Sequence, residues 1–261
     1  MSRRSSLPFL GGSSYMNPNR MYGNIVDDNS SERMTVDTLG NALLSTFGVF
    51  AIGTIITTSL FSKVLANPTG GSAGTLGLVL IVAVIGTLVL ALVNSFKRVA
   101  SPALVMAYAG LEGVLVAAIS ISYNTMYEGI VGHAVLATFC VVFASVAMFK
   151  SGIIAQNRTF FARIIPILLV SYILMSLINF VLVLTTSWTS VYNSSFGIGI
   201  SAFAIVFGGI MLAQDLDSAQ VGIDMGAPAH YSWRCSFGIF LDVIWIYLEV
   251  LRLLAILSNR K

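Results

Sequence analysis

Seven long apolar stretches dominate the chain, and short polar connections separate them. Each stretch is apolar all round instead of alternating between apolar and polar residues, which indicates a helix and excludes a strand of a membrane β-barrel. Crossing the hydrocarbon core of a bilayer takes about 20 helical residues. The pattern therefore predicts an all-α integral membrane protein, a bundle of seven transmembrane helices. We place them near residues 40–62, 75–96, 102–123, 130–149, 164–185, 196–214 and 236–257.

The first 38 residues differ from the remainder of the chain. They are rich in Ser, Asn, Gly and Arg and show no sustained hydrophobic period. Such a composition is typical of a flexible segment. We therefore expect a flexible N-terminal tail over residues 1–38, followed by a seven-helix transmembrane domain over residues 39–261.

The composition narrows the class of protein. Only 10% of the 261 residues are charged and 56% are hydrophobic, whereas roughly 25% of a soluble domain is charged. A disordered chain would need more charge, and a net charge of +3 is too small for a nucleic-acid-binding protein. The expected partner is the lipid bilayer, with no nucleic acid.

Basic residues in the short connections predict the orientation, because cytoplasmic loops of membrane proteins carry an excess of Lys and Arg. Ten of them fall on the side of the N-terminus if the seven stretches all cross: Arg3, Arg4, Arg20, Arg33, Lys97, Arg98, Lys150, Arg158, Arg163 and Arg234. We therefore expect a cytoplasmic N-terminus. Arg260 and Lys261 would then lie outside, so a seventh segment that re-enters the membrane instead of spanning it stays open.

Four charged residues lie inside the predicted spans, where each is costly at the helix centre. They are Glu112, Asp242, Glu249 and Arg252. The last three share one face of the seventh helix, which must point into the bundle. Glu249 and Arg252 are three residues apart, a spacing that predicts a structural ion pair within the helix. Glu112 lies midway along the third helix without a local cation and is a candidate pore-side carboxylate.

Asp242 has no such local partner. The predicted sixth helix ends next to Asp215 and Asp217, and antiparallel packing on the seventh helix would bring either one within reach of Asp242. Two close carboxylates cannot both ionise cheaply, so such a pair shares a proton or holds a cation. Carboxylate oxygens suit calcium, although two carboxylates do not fill its coordination shell. The alternative is that Asp215 and Asp217 form a solvated helix end.

Other features predict structural roles. Small residues recur four apart, as in Ala109, Gly113 and Ala117 of the third helix and Ala204 and Gly208 of the sixth, which allows close approach of helix backbones. Cys140 and Cys235 have no ligand-spaced His beside them, and we expect both to be small buried hydrophobic residues. His133 and His230 are expected to be loop or interface residues.

The last third of the chain resembles the closing segment of the Bax inhibitor-1/YccA family of small seven-helix membrane proteins. The stretch around Glu112 is similar to the third helix of that family, especially in its bacterial branch with an extended N-terminal tail. The residues that carry the resemblance are Asp215–Val221, Gly226–Pro228, Trp233, Phe237–Gly238, Trp245–Leu254 and Ala107–Gly113.

The resemblance implies a pH-sensitive calcium leak in a bacterial cytoplasmic membrane, with calcium or protons as ligands. It matches Asp217, which is followed by Gln220 and Val221, and Asp242 to the two aspartates of a proton-linked gate, and so to a possible calcium position. A basic latch at the end of the second helix would be Lys97 or Arg98. Leu216 stands where an aromatic residue usually precedes the first aspartate, and the second helix has no acidic residue.

A second function stays open beside the leak: a non-conducting regulator that binds a membrane-bound ATP-dependent protease or another quality-control partner. An enzyme is not expected. The Tyr-Asp and Gly-x-Gly-Asp sequences of intramembrane aspartyl proteases are absent, and Gly197–Ser201 lacks the glycine that completes a serine nucleophile turn. We expect no cofactor.

Overall fold

A computed structural model describes residues 32–66, 70–97, 100–185 and 195–259. Most of the predicted flexible tail, residues 1–31, and Arg98 lie outside these ranges. The described residues form eight helices, which confirms the all-α prediction. They are α1 (Val36–Ala66), α2 (Gly70–Phe96), α3 (Pro102–Met126), α4 (Ile130–Lys150), α5 (Ile153–Gln156), α6 (Arg158–Thr185), α7 (Ser195–Asp224) and α8 (Tyr231–Ser258).

Six of these helices are long and apolar enough to cross a membrane: α1, α2, α3, α4, α6 and α7. They correspond to the first six predicted spans, and α5 is a single turn between α4 and α6. Helix α8 is of similar length but carries Asp242, Glu249 and Arg252, and it is not among the six in the described part of the chain. The seventh span and the orientation stay predictions.

Helix α8 lies at the centre of the bundle, where it packs against α7, α1, α4 and α3. Its Phe240 and Leu251 side chains are completely buried. Edge-to-face contacts join the Phe240 ring to Phe47 and Phe50 of α1, with ring centroids 5.2 Å and 5.4 Å apart. Burial on several sides explains why the charged groups of α8 need partners from neighbouring helices.

The recurring small residues lie at close helix crossings, as predicted. A Cβ atom on Gly113 would lie 2.5 Å from the Phe50 carbonyl oxygen of α1, so a side chain at this position is incompatible with the present packing. Ala109 and Ala117 on the same helix are buried. A Cβ atom on Gly208 of α7 would lie 2.9 Å from Ile246 Cγ1 and 3.2 Å from Trp245 Cδ1 of α8.

The chain just before α1 is tied to the connection between α7 and α8. Arg33 forms an antiparallel bridge with Pro228, and the Met34 amide donates to the Ala227 carbonyl at 2.7 Å. The Met34 side chain is buried against Ala219, Ala227 and Cys235. The flexible tail was predicted to reach residue 38, but these contacts and the start of α1 at Val36 fix the chain earlier.

Three helices extend beyond their predicted bounds at this end of the bundle. Helix α6 begins at Arg158, α7 continues to Asp224, and α8 begins at Tyr231. The predicted bounds followed the apolar runs, whereas backbone hydrogen bonding continues through polar residues that reach the bundle surface. Asp215 and Asp217 are therefore inside a helix and not at a solvated helix end.

The two cysteines differ in burial. Cys235 is buried, as predicted, in the contact with Met34. Cys140 is exposed on α4, so the prediction of burial was wrong for this residue. In a helix that crosses a membrane the exposed side faces lipid, which accommodates an apolar side chain as readily as a protein core does.

Candidate functional site

The first feature of the site is an ion pair between α6 and α7. Arg158 Nε donates to Asp217 Oδ2 at 2.6 Å, and Nη2 donates to Oδ1 at 2.9 Å. The carboxylate is buried, with 5% of Asp217 exposed, whereas 48% of the Arg158 side chain remains accessible. Two parallel charge-assisted hydrogen bonds fix both groups in orientation. Asp217 is thereby neutralised by a cation and faces α6.

The second feature is the approach of Asp215 to Asp242 across the contact between α7 and α8. The two carboxylates interact electrostatically, and a Cβ atom on Gly238 would overlap the Asp215 carboxylate. Gly238 precedes Asp242 by one turn on α8, so the absence of a side chain there gives Asp215 its place.

The expected pairing of Asp217 with Asp242 is therefore not the arrangement of the structure. Successive residues of an α-helix are about 100° apart around its axis, so Asp215 and Asp217 point in directions about 160° apart. Only one of them can face α8. The structure places Asp215 there and leaves Asp217 to Arg158.

The paired carboxylates differ in their surroundings. Asp242 is 4% exposed, and its Oδ2 atom has no hydrogen-bond partner among the described residues. Asp215 is partly buried and also lies in the field of Arg234, at the start of α8. An unpartnered buried carboxylate oxygen is costly, and a shared proton or a bound cation removes that cost.

A second polar cluster joins α6 and α8. Arg252 Nη1 donates to Glu249 Oε1 at 2.9 Å, which confirms the predicted ion pair within α8. The Tyr172 hydroxyl of α6 also donates to Glu249 Oε1, at 2.6 Å, and accepts a hydrogen bond from Arg252. The Tyr172 ring lies 4.9 Å from the Trp245 ring. This arrangement satisfies a carboxylate that is 5% exposed.

The described residues contain no group of three or more His, Cys, Asp or Glu side chains that could hold a metal ion. Calcium takes six to eight oxygen ligands. The acidic pair alone does not supply them, and Asp217, the other predicted calcium ligand, is bound to Arg158. The donor set of the described residues therefore does not fit a resident calcium ion.

Comparison with known families covers almost the whole chain. The model of the family described as Bax inhibitor 1 like matches residues 14–259, a range that contains all eight helices. The chain belongs to this family. The match confirms the resemblance found in the third and the last two predicted helices. No curated protein matches the chain.

Six helices of the described chain are long and apolar enough to cross a membrane, and together with the family membership they identify a multi-pass integral membrane protein. Of the remaining predicted site residues of this Bax inhibitor 1 like protein, the structure describes Glu112 and Lys97. Glu112 is partly buried and hydrogen-bonded to Tyr108, one turn earlier on α3. The Lys97 carbonyl accepts a hydrogen bond from Arg234 at 3.4 Å. Arg158, and not Lys97, is the cation that holds Asp217.

Three residues of the site were not predicted as site residues. Arg158 was counted only as a loop charge, and Tyr172 and Gly238 were not singled out as parts of the site. Tyr172 is a polar group within an apolar run, a signal that points to a buried acceptor nearby. No pattern along the chain predicts which of two neighbouring aspartates Arg158 contacts.

Proposed function

We propose that this Bax inhibitor 1 like protein is a pH-sensitive leak for calcium or a related cation, gated by Asp215 and Asp242. The observation that carries the proposal is the buried Asp242 carboxylate, which faces a second carboxylate and has one oxygen without a partner. Family membership supports the same class of function.

The proposed gate acts through charge. With one proton between them, Asp215 and Asp242 attract each other and hold α7 against α8; when both are ionised, they repel each other or recruit a cation. A change in the charge of the pair therefore changes the contact between two helices. Gly238 brings the two helices close enough for this coupling.

The Arg158–Asp217 pair complements this gate. It joins α7 to α6 on a different face from the one that carries Asp215. Helix α7 is thus held from two sides, by an ion pair and by an acidic pair. We propose that the ion pair is the basic latch and that the acidic pair is the proton-responsive element.

The proposed setting is a bacterial cytoplasmic membrane, with seven spans and the N-terminus inside. The charged groups of the described chain support one polar end: Arg33, Lys97, Lys150, Arg158 and Arg234 lie where α1, α3, α6 and α8 begin or where α2 and α4 end. In that orientation, the acidic pair lies toward the cytoplasm.

The test is calcium entry into proteoliposomes that hold a calcium-sensitive dye, measured over an acid-to-neutral pH series. We expect wild-type flux to depend on pH and Asp242→Asn and Asp215→Asn to lose that dependence. Asp224→Asn is the matched control, because Asp224 is exposed on the same helix as Asp215. Equal flux from the wild type and Asp242→Asn at every pH would exclude the gate.

Absence of flux from folded wild-type protein at every pH would overturn the leak itself. The regulator of a membrane-bound ATP-dependent protease would then be favoured. Pull-down with and without residues 1–31 tests that function separately, because this deletion leaves the described contacts of Met34 in place.

A further inference from the structure

A long cavity of about 840 Å³ lies between α1 and α4, and none of the charged residues of the site lines it. Helices α3 and α8 form its floor with Val116, Ala117 and Ile244. On the α4 side it is lined by Val135 and Phe139, which are 39% and 57% exposed. The cavity is therefore a groove that is accessible from the side of the bundle and not only from its ends.

The middle of the groove offers no free polar group to a ligand. Thr54 and Thr138 donate their hydroxyl groups to carbonyl oxygens of their own helices, at 2.9 Å and 2.8 Å. Ser120 and Tyr247 form a hydrogen bond with each other at 2.6 Å. The remaining lining is almost wholly apolar. A water chain would find few partners here, so an apolar occupant is favoured.

One end of the groove is polar. Thr58, near the end of α1, and Asn124 and Thr125, at the end of α3, are lining residues. The Thr58 and Thr125 hydroxyl groups also donate to carbonyl oxygens of their own helices, but these three residues are exposed, unlike Thr54 and Thr138 in the middle of the groove. The opposite end is lined by Leu43 and Val146. The groove is thus an apolar slot with a polar rim at a single end, which matches the distribution of polarity along a lipid.

The length of the groove suits a lipid chain. Leu43 and Thr58 are fifteen residues apart on α1, a helical distance of about 22 Å. One leaflet supplies half of the roughly 30 Å hydrocarbon core, so an acyl chain that enters from one leaflet can lie wholly within the groove.

We propose that this groove binds one acyl chain of a bilayer phospholipid, with the headgroup at the rim formed by Thr58, Asn124 and Thr125. Helices α1 and α4 are among those long and apolar enough to cross a membrane, so the side of the groove faces the hydrocarbon core. A phospholipid in the adjacent leaflet reaches the groove without leaving the bilayer. The inference is independent of the proposed leak.

The test uses full-length protein in vesicles of phosphatidylethanolamine and phosphatidylglycerol with a trace of phospholipid that carries a photoreactive diazirine on its acyl chain. After irradiation, mass spectrometry locates the labelled residues. We expect labelling concentrated on groove residues such as Phe47 and Val142, above that of Ile81 and Leu88, which are exposed on α2. Labelling at equal levels around the bundle would overturn the proposal.

A groove-filling variant gives a second readout. Val142→Trp should lose the groove labelling, whereas Leu136→Trp, an exposed position on the same helix outside the groove, should keep it. If Val142→Trp does not fold, Val135→Trp replaces it at the groove edge. Three results contradict the proposal: undiminished labelling in the folded groove variant, labelling by a diazirine fatty acid but not by the phospholipid, and cross-links between two copies of the chain through the groove.

Discussion

Arg158 and Asp217 are held together by two parallel hydrogen bonds, 2.6 Å and 2.9 Å long, that join the first residue of α6 to the interior of α7. The pair removes Asp217 from the acidic contact with Asp242 and leaves that role to Asp215. Its cation is half accessible while its anion is buried. Removal of the cation should therefore lower the stability more than removal of the anion, because it leaves a buried carboxylate without a partner.

We expect Arg158→Gln to lower the free energy of unfolding by about 1–2 kcal/mol, less than for a fully buried pair because Arg158 is half exposed. Calcium flux at a fixed pH should rise, because α7 is released on one side, while the pH dependence set by Asp215 and Asp242 remains. Unfolding of the detergent-solubilised protein measures the change in stability, and calcium flux into proteoliposomes measures the change in conduction.

Arg163→Gln is the control for this variant, because Arg163 is an exposed cation on the same helix. Arg158→Lys should recover part of the stability, since an ammonium group cannot reproduce the two parallel hydrogen bonds of a guanidinium. Arg158→Gln with the flux and stability of Arg163→Gln would contradict a latch at this position.

Gly238→Ala tests the placement of Asp215. A Cβ atom at Gly238 would overlap the Asp215 carboxylate, so the carboxylate or the helix must move. We expect destabilisation by about 1–3 kcal/mol, as for overpacking in a core, and a displaced pH dependence of flux. Gly132→Ala on α4 is the control, because nothing lies within 4 Å of a Cβ atom there. If Gly238→Ala and Gly132→Ala have the same stability and the same pH dependence of flux, the Asp215 carboxylate does not lie against Gly238.

The gate residues show what could be predicted from the sequence. Spacing within one helix predicts the Glu249–Arg252 pair, because residues three apart share a face. The spacing of residues did not decide whether Asp215 or Asp217 contacts Asp242, and the family resemblance favoured Asp217. The opposite directions of the two side chains show that only one faces α8, but which one depends on the rotation of α7 about its axis, and tertiary packing sets that rotation.

The sequence predicted the long helices of the fold but not where all of them end. The apolar stretches located the long helices, because the length and the composition of a segment determine whether it can cross a membrane. The helix ends near Arg158, Asp224 and Tyr231 were missed, since polar residues continue these helices beyond the apolar runs. The carboxylates that Arg158 and Tyr172 contact could not be predicted, because each contact is made across a helix interface.

Arg252→Met tests the second polar cluster. The substitution leaves the buried Glu249 carboxylate without its cation and with the hydrogen bond from Tyr172 of α6, and we expect a loss of about 2–4 kcal/mol in the free energy of unfolding. Tyr172→Phe removes one hydrogen bond and should cost less, about 0.5–2 kcal/mol. Ser171→Ala, at an exposed neighbouring position, is the control. If unfolding titrations show a larger loss of stability for Tyr172→Phe than for Arg252→Met, Arg252 is not the main partner of the Glu249 carboxylate.

Met34 connects the segment before α1 to the α7–α8 end of the bundle, and its contact with Cys235 provides a direct measurement. Met34 is 2% exposed and lies with Ala219, Ala227 and Cys235 in one apolar cluster. Met34→Ala opens a cavity beside the thiol, so we expect faster labelling of Cys235 by a water-soluble maleimide. All variants carry Cys140→Ala, because Cys140 is exposed and would also react.

Val36→Ala, at a position 69% exposed, is the matched control and should leave the labelling rate unchanged. Equal rates in the two variants would mean that Met34 does not cover this end of the bundle, and the pairing of Arg33 with Pro228 would then be the contact that holds the segment in place.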